Sequence, residues 1–396
     1  MHGLGDQPFD RLLSATKLTW LANNCDVIAI PPQLLPPGAF APAVRAHPAF
    51  TPLLYLHASS NSEDSSAMGM VGDWQPAMKK WQLLGQNGKP VPYLAPKGHW
   101  MDYTLPAWEA FWKARAIRLM QQTGAQGVVA ADLPIGNTYV PSHLLHYDGR
   151  ADLIRATADF LRATYDRGYY LLAPSSAGFD LLVGQATLPI AGAASERNLR
   201  GRLWDEFYPE MDGCWAEGWV RPYWANAPLP EADWEVEMEA ADRAAKSGQV
   251  FIADAAYRNT RELVYALASY LLVARRSSRF VFQPMPLAPG QAVDAGLDLS
   301  VFQNEIKRNS AWFNAPLGAA IQERHQVIGI GGGVWRRAFE FGAVYVNSSD
   351  GRTVTVDLAG GMRLPTGPVV HQVVLPPHSG AILLFIPQAP KPEKRP

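Results

Sequence analysis

The sequence predicts an α/β chain, a (β/α)8 TIM barrel followed by a small antiparallel β-sandwich. Two observations carry this prediction. Short continuous apolar runs alternate with amphipathic stretches as far as about residue 315, as expected of parallel strands buried on both faces. Beyond Ala315 apolar and polar residues alternate singly, as in antiparallel strands with one solvated face.

The apolar runs fall at 26–30, 51–56, 91–95, 127–131, 169–173, 213–216, 249–253 and 279–283. Eight strand–helix alternations in about 315 residues are the count and size of a barrel. Helices are predicted between them at 106–122, where Trp108, Phe111, Trp112, Ile117 and Leu119 form a stripe, and at 151–167 and 260–275. Four alternating strands follow at 339–347, 353–358, 369–375 and 380–386, separated by Ser348-Ser-Asp-Gly351, Gly360-Gly361 and Pro376-Pro377. The chain therefore reads as a barrel over 1–315, a sandwich over 316–388 and a disordered, proline-rich tail over 389–396.

Charge narrows the partners. Among 396 residues, 35 Lys and Arg face 36 Asp and Glu, which gives no electrostatic attraction to nucleic acid or an anionic membrane. No run of about 18 apolar residues is present to span a bilayer. The two cysteines, Cys25 and Cys214, form no CxxC, so neither a disulfide framework nor a cysteine zinc site is expected, and no cofactor motif appears. The opening MHGLGDQPFDR lacks the charged start and apolar core of a signal peptide. It predicts a cytoplasmic chain, or a secreted one whose leader was removed. The 13 Trp point to a recognition surface.

In a barrel, chemistry sits where strands end. Those positions hold His57, then Lys97, His99, Trp100 and Asp102, then Asp132, Ser175 and Ser176, Glu217, Asp254 and Gln283. Carboxylates and amides that take hydroxyls, beside indoles that stack on pyranose faces, make a sugar site. The predicted substrate is a carbohydrate. Hydrolysis of a glycosidic bond needs two carboxyl groups, and the leading pair is Asp132 and Glu217. Asp132 ends the run GVVAAD, where an isolated carboxylate has no packing role, though it could cap the next helix. Glu217 lies between Trp215 and Trp219, which would desolvate it as an acid requires, though it could instead pair with Arg221. Their parity differs, because Asp132 follows Gly127 by five residues and Glu217 follows Gly213 by four. A bulge or different strand starts would be needed to bring both into one cavity. His57, Lys97, His99, Asp102, Trp215, Trp219, Arg221, Asp254 and Gln283 are the candidate substrate contacts. Asp212, at the start of its strand, reads as structural.

Other motifs are weaker. Pro174-Ser-Ser-Ala-Gly178 lacks the first glycine of a nucleophile elbow, and His143, His146 and Asp148 lack the HExxH frame of a zinc site. Gly329-Ile-Gly-Gly-Gly333 lacks a phosphate-loop lysine, and Asn347-Ser-Ser349 matches a glycosylation sequon.

Three segments resemble one family. Trp100-Met-Asp-Tyr-Thr-Leu-Pro-Ala-Trp108 leading to Gly127-Val-Val-Ala-Ala-Asp132 is the first, and Met211-Asp-Gly-Cys-Trp-Ala-Glu-Gly-Trp219 is the second. The third is Arg337-Ala-Phe-Glu-Phe-Gly-Ala-Val-Tyr-Val-Asn-Ser348 with Leu375-Pro-Pro-His-Ser-Gly-Ala-Ile-Leu-Leu384. They are similar to segments of barrel proteins catalogued as hypothetical glycoside hydrolases, relatives of α-galactosidase and α-glucan-hydrolase barrels. The resemblance implies a nucleophilic Asp after the fourth strand and an acid/base after the sixth, which fall on Asp132 and Glu217. Gln126 and Ser348 depart from the pattern, standing where that family usually has Asp and Pro. The alternative from another class is a barrel that binds carbohydrate without catalysis.

Overall fold

A computed structural model describes residues 13–63, 72–91, 93, 97–131, 133, 150–165, 168, 170–174, 211–221, 227–284, 299–327 and 333–386. Nine strands precede residue 300 among them. They are β1 Val27–Ile30, β2 Thr51–His57, β3 Ser60–Ser62, β4 Gly98–Trp100, β5 Gly127–Ala131, β6 Tyr170–Pro174, β7 Gly213–Glu217, β8 Val250–Tyr257 and β9 Ser278–Pro284. Seven form one sheet in the order β1-β2-β5-β6-β7-β8-β9, and neighbours from β1 to β7 pair parallel. Every residue of β5 is buried, as its unbroken apolar run requires.

The third predicted strand, 91–95, does not lie between β2 and β5, which pair directly, and its residues 92, 94 and 95 lie outside the described residues. The physical reason is proline. Pro90, Pro92 and Pro96 remove ladder donors that a central strand needs. Val91 instead gives its N–H to the Leu83 carbonyl at 2.9 Å. The sequence just after β2 does other work there, since β3 and β4 form a two-stranded antiparallel ribbon pairing Asn61 with His99.

The predicted helix at 106–122 runs Pro106–Thr123. Proline at its first turn needs no donor, and Gly124 at φ 79° ends it in the left-handed region. Its stripe buries Trp108, Trp112, Ala116 and Met120. The indole N–H groups reach the exit of β2, Trp108 donating to Ala58 O and Trp112 to His57 O, both at 2.8 Å. The same helix thus fixes the backbone on which His57 stands.

Among the described residues beyond 320, six strands form one antiparallel sheet: β10 His325–Gln326, β11 Val334–Phe339, β12 Gly342–Asn347, β13 Val354–Arg363, β14 Val369–Leu375 and β15 Ser379–Phe385. Their order is β10-β11-β12-β15-β13-β14. The predicted strand 339–347 is in fact a hairpin tip plus β12, because the chain turns at Glu340 and Phe341. A register shift between Asp357 and Met362 lets β13 pair with β14 in its first half and with both β14 and β15 at its end. Val334, Tyr345, Val356, Leu358, Leu375 and Leu383 share the resulting core. The first half of β13 keeps the expected alternation, but β12 is buried throughout. Helix Thr260–Val273 covers that second face, and Gly380 permits the approach: a Cβ there would lie 2.6 Å from Ala268 Cβ. Arg337 closes the helix by donating to the carbonyls of Leu271 and Ala274 at 3.0 and 2.9 Å.

The sequon at Asn347 has a structural role. Its buried amide donates to the carbonyls of Arg352, Leu375 and Pro376, while its oxygen accepts from Ser349. No glycan could reach that nitrogen in the folded chain.

The chain divides into two compact units. One takes in 1–217, 243–252 and 277–279, and the other 218–242, 253–276 and 280–396.

Candidate active site

In the first unit the register sets the candidate residues in order. His57 is level with Ala131 across the β2–β5 pair. Val129 is level with Leu172, and Leu172 with Gly213, so Gly213 stands two residues beyond Gly127. Paired residues of a parallel ladder share a face, and alternate residues of a strand return to it. His57, Ala131, Pro174, Trp215 and position 217 therefore have the same parity. The even stagger does not remove the mismatch between the two carboxylates that the sequence spacing shows. Asp132 itself, Ser175 and Ser176 lie outside the described residues, as do the side chains of Glu217 and Gln283; Glu217 ends β7 and Gln283 is the penultimate residue of β9.

His57 is half-buried, with its Nδ1 2.8 Å from Ser60 Oγ. His99, on β4, stacks on Trp74 with ring centroids 4.0 Å apart. Its Nδ1 is 2.9 Å from the Gln82 side-chain amide and its Nε2 3.6 Å from a Glu63 oxygen. Lys97 is exposed at the start of the ribbon, in a left-handed conformation at φ 61°, and its carbonyl accepts from Glu63 N–H. Asp102 is buried and accepts from the N–H and hydroxyl of Thr104, so one carboxylate oxygen shapes the turn into helix Pro106–Thr123. Asp212 likewise takes Tyr165 OH and Leu171 N–H, the structural duty its place at a strand start predicts.

In the second unit the turn directly after Glu217 is strained and heavily tied. Gly218 adopts φ 69°, and Val220, a β-branched residue, is left-handed at φ 54°. Such a conformation costs of order 1–3 kcal/mol and persists only when its surroundings enforce it. Here Trp219 N–H donates to Asp254 O at 2.8 Å, Val220 N–H to Glu237 Oε2 at 2.9 Å, and Leu229 N–H to Val220 O at 3.0 Å. Trp219 is fully buried with its indole N–H on Ala266 O, so its ring offers no open face to a sugar. Arg221 is buried and bonded to Glu262, which also accepts from Arg258 N–H. Burial lowers the Arg221 guanidinium pKa, and the Glu262 charge opposes that shift. Asp254 is buried in the interior of β8, which runs on to Tyr257 rather than stopping at Ala253.

Arg115 and Glu237 are buried charged residues absent from the sequence-derived candidates. Arg115 is buried on the stripe of helix Pro106–Thr123, where it donates to Asn61 at 3.3 Å and Asp73 at 3.1 Å and lies over the rings of Trp108 and Phe111. Its guanidinium thereby braces the ribbon that carries His99. Glu237 lies on the apolar stripe of helix Glu231–Lys246, beside Trp234 and Met238. Burial pushes its carboxyl up to about 8; the Val220 N–H pulls it down and Asp233 adds to the rise.

A raised carboxyl makes a pH prediction. Between about 4.5 and 8 the unfolded chain loses the Glu237 proton while the folded chain keeps it, so stability falls as pH rises through that window. Wild type should lose on the order of 5 kcal/mol from this group between pH 4 and 9, since each tenfold difference in proton affinity is worth about 1.4 kcal/mol. Urea titrations at those two pH values should show the Glu237→Gln variant lacking this component.

No group of three His, Cys, Asp or Glu among the described residues is placed to hold a metal ion, and no described helix is long and apolar enough to cross a membrane. His143, His146 and Asp148 lie outside the described residues.

Among solved structures, the chain is similar to the glycoside hydrolase domain of PelA from Pseudomonas aeruginosa. Identity is 20%, with 67% of this chain and 90% of that one covered at a TM-score of 0.44. An Anoxybacillus alpha-amylase is 12% identical over 89% of this chain and 80% of its own, with a TM-score of 0.39. A GH36 alpha-galactosidase AgaA variant from Geobacillus stearothermophilus, in complex with 1-deoxygalactonojirimycin, is 11% identical over 96% and 54%, with a TM-score of 0.45. No curated protein matches. Residues 47–343 match the family described as hypothetical glycosyl hydrolase family 15, and the chain belongs to that family of glycosidases.

Proposed function

We propose that this glycosidase cleaves an O-glycosidic bond of an oligo- or polysaccharide with retention, using Asp132 as nucleophile and Glu217 as general acid and base. What carries the reading is the order β5-β6-β7: two neighbouring ladders run parallel, so the strands leading into Asp132 and ending at Glu217 finish at one edge. Their main chains are two ladder spacings apart, about 10 Å, and side chains converging across that gap reach the roughly 5–5.5 Å that a double displacement needs. His57 and Trp215, on the parity of position 217, are the proposed hydroxyl contact and sugar platform.

The barrel reading of residues 1–315, with a sandwich over 316–388, belongs to the same proposal. Closure is supported by the ion pair between Asp26, just before β1, and Arg279 of β9, at 3.0 Å, which joins the first and last strands of the sheet order.

Chemistry in two steps is testable by trapping. Glu217 protonates the leaving oxygen while the Asp132 carboxylate attacks the anomeric carbon; Glu217 then takes a proton from water, which releases the sugar and frees Asp132. Incubation with a panel of activated 2-fluoro-glycosides should add one sugar mass to the peptide containing Asp132. A label on another carboxylate would reject the assignment, and product of inverted configuration would reject retention.

A further inference from the structure

We propose that Glu237 is a positioning residue for the reaction: through Val220 it holds the strained turn that fixes the main chain leaving Glu217. The inference rests on Glu217 being the acid and base. The sequence of this turn does not favour its own geometry, since Val is poorly suited to φ 54° where Gly would sit without strain. Three main-chain anchors enforce it, and two come from main-chain carbonyls or amides that any sequence would supply: Asp254 O to Trp219 N–H and Leu229 N–H to Val220 O. The third is a side chain. Glu237 Oε2 accepts from the strained residue itself at 2.9 Å, from a fully buried position on a helix stripe where an apolar residue is the ordinary choice.

A carboxyl group placed there for packing alone would be replaced without loss by Leu or Met. One placed to hold the turn would not, because the Val220 N–H would be left buried without an acceptor. A turn free to relax would shift the residue three positions before Val220, and displacements of about 1 Å at a reacting group lower rates by as much as roughly 10²-fold. The groups around Glu237 are Asp233 on its own helix and Tyr265 on helix Thr260–Val273, whose phenol is itself held protonated by burial and by the Glu237 charge.

The test uses the full chain and the glycoside that wild type hydrolyses best in an aryl-glycoside and oligosaccharide panel. Glu237→Leu is expected to lower kcat by roughly 10- to 100-fold at a KM near wild type, counted per folded molecule. Glu237→Gln retains a carbonyl acceptor and should recover most of that loss. Hydrogen exchange of the peptide covering 217–221 should quicken in the Leu variant and stay slow in the Gln variant. Should Glu237→Leu fail to fold, Val220→Gly serves instead: it relieves the strain, keeps the fold, and should lower kcat by loosening the turn. Unimpaired kcat in a folded Glu237→Leu, or in Val220→Gly, overturns the positioning role alone. A wild type inert on every glycoside overturns the hydrolase reading and takes the positioning role with it.

Discussion

Replacing Glu217 by Gln should lower turnover of a glycoside with a poor leaving group by roughly 10³-fold or more, since positioned proton transfer contributes about 10²–10⁴-fold. Gln keeps the size and loses the proton. The deficit should shrink for a dinitrophenyl leaving group, which departs without protonation, and the second step should then limit the rate. Asp132→Asn removes the nucleophile and should fail on both leaving groups alike. The contrast separates the two roles within one experiment: equal losses for both variants on both substrates would remove the distinction between acid and nucleophile. Melting temperatures near wild type would show that the effects are chemical.

Substituting Gly213 by Ala should destabilise the fold by about 3 kcal/mol or more, at the upper end for overpacking. A Cβ at Gly213 would lie 2.0 Å from the Val250 carbonyl oxygen and 2.7 Å from its carbon. Both are main-chain atoms, so no rotamer change can relieve the clash. Val250 cannot withdraw, because its own N–H is bonded to Asp212 O at 2.9 Å. Strand β7 would have to leave the ladder and carry Glu217 with it. Gly351→Ala, with nothing within 4 Å of the added carbon, is the matched control and should unfold at wild-type urea concentration. Wild-type stability of Gly213→Ala would mean that β7 and β8 do not lie so close together.

Much of this architecture is legible in the sequence because it depends on period and polarity. The buried run of β5 and the alternation in β13 follow from which faces must be covered. Apolar character alone misleads at 91–95: β2 pairs directly with β5, and Pro92 within the run has no ladder donor to offer. Trp219 illustrates a second limit. Next to Glu217 it reads as a sugar platform, yet its indole N–H finds the Ala266 carbonyl 47 residues away, a partner no local pattern announces. Arg115 and Glu237 do carry a local signal. Each is an ion on the apolar stripe of an amphipathic helix, Arg115 three residues from Trp112 and Glu237 three from Trp234. A charge on that face must find a partner or lose its ionisation, so the helical pattern by itself marks a buried polar contact. The parity of Asp132 and Glu217 is also legible, and the register, with its two-residue stagger, preserves it.

The arrangement around helix Thr260–Val273 bears on how this protein can be dissected. Nine of its fourteen residues are buried, its far side lies under β12 and β15, and the guanidinium that terminates it comes from β11. A truncation that removes everything past residue 320 would strip an apolar helix of its cover and leave its last carbonyls facing nothing. The terminal strands are thus no detachable appendage, and shortened versions would aggregate. Recombining this chain with a relative should place the junction before residue 260, so that helix and sheet travel as one inherited piece.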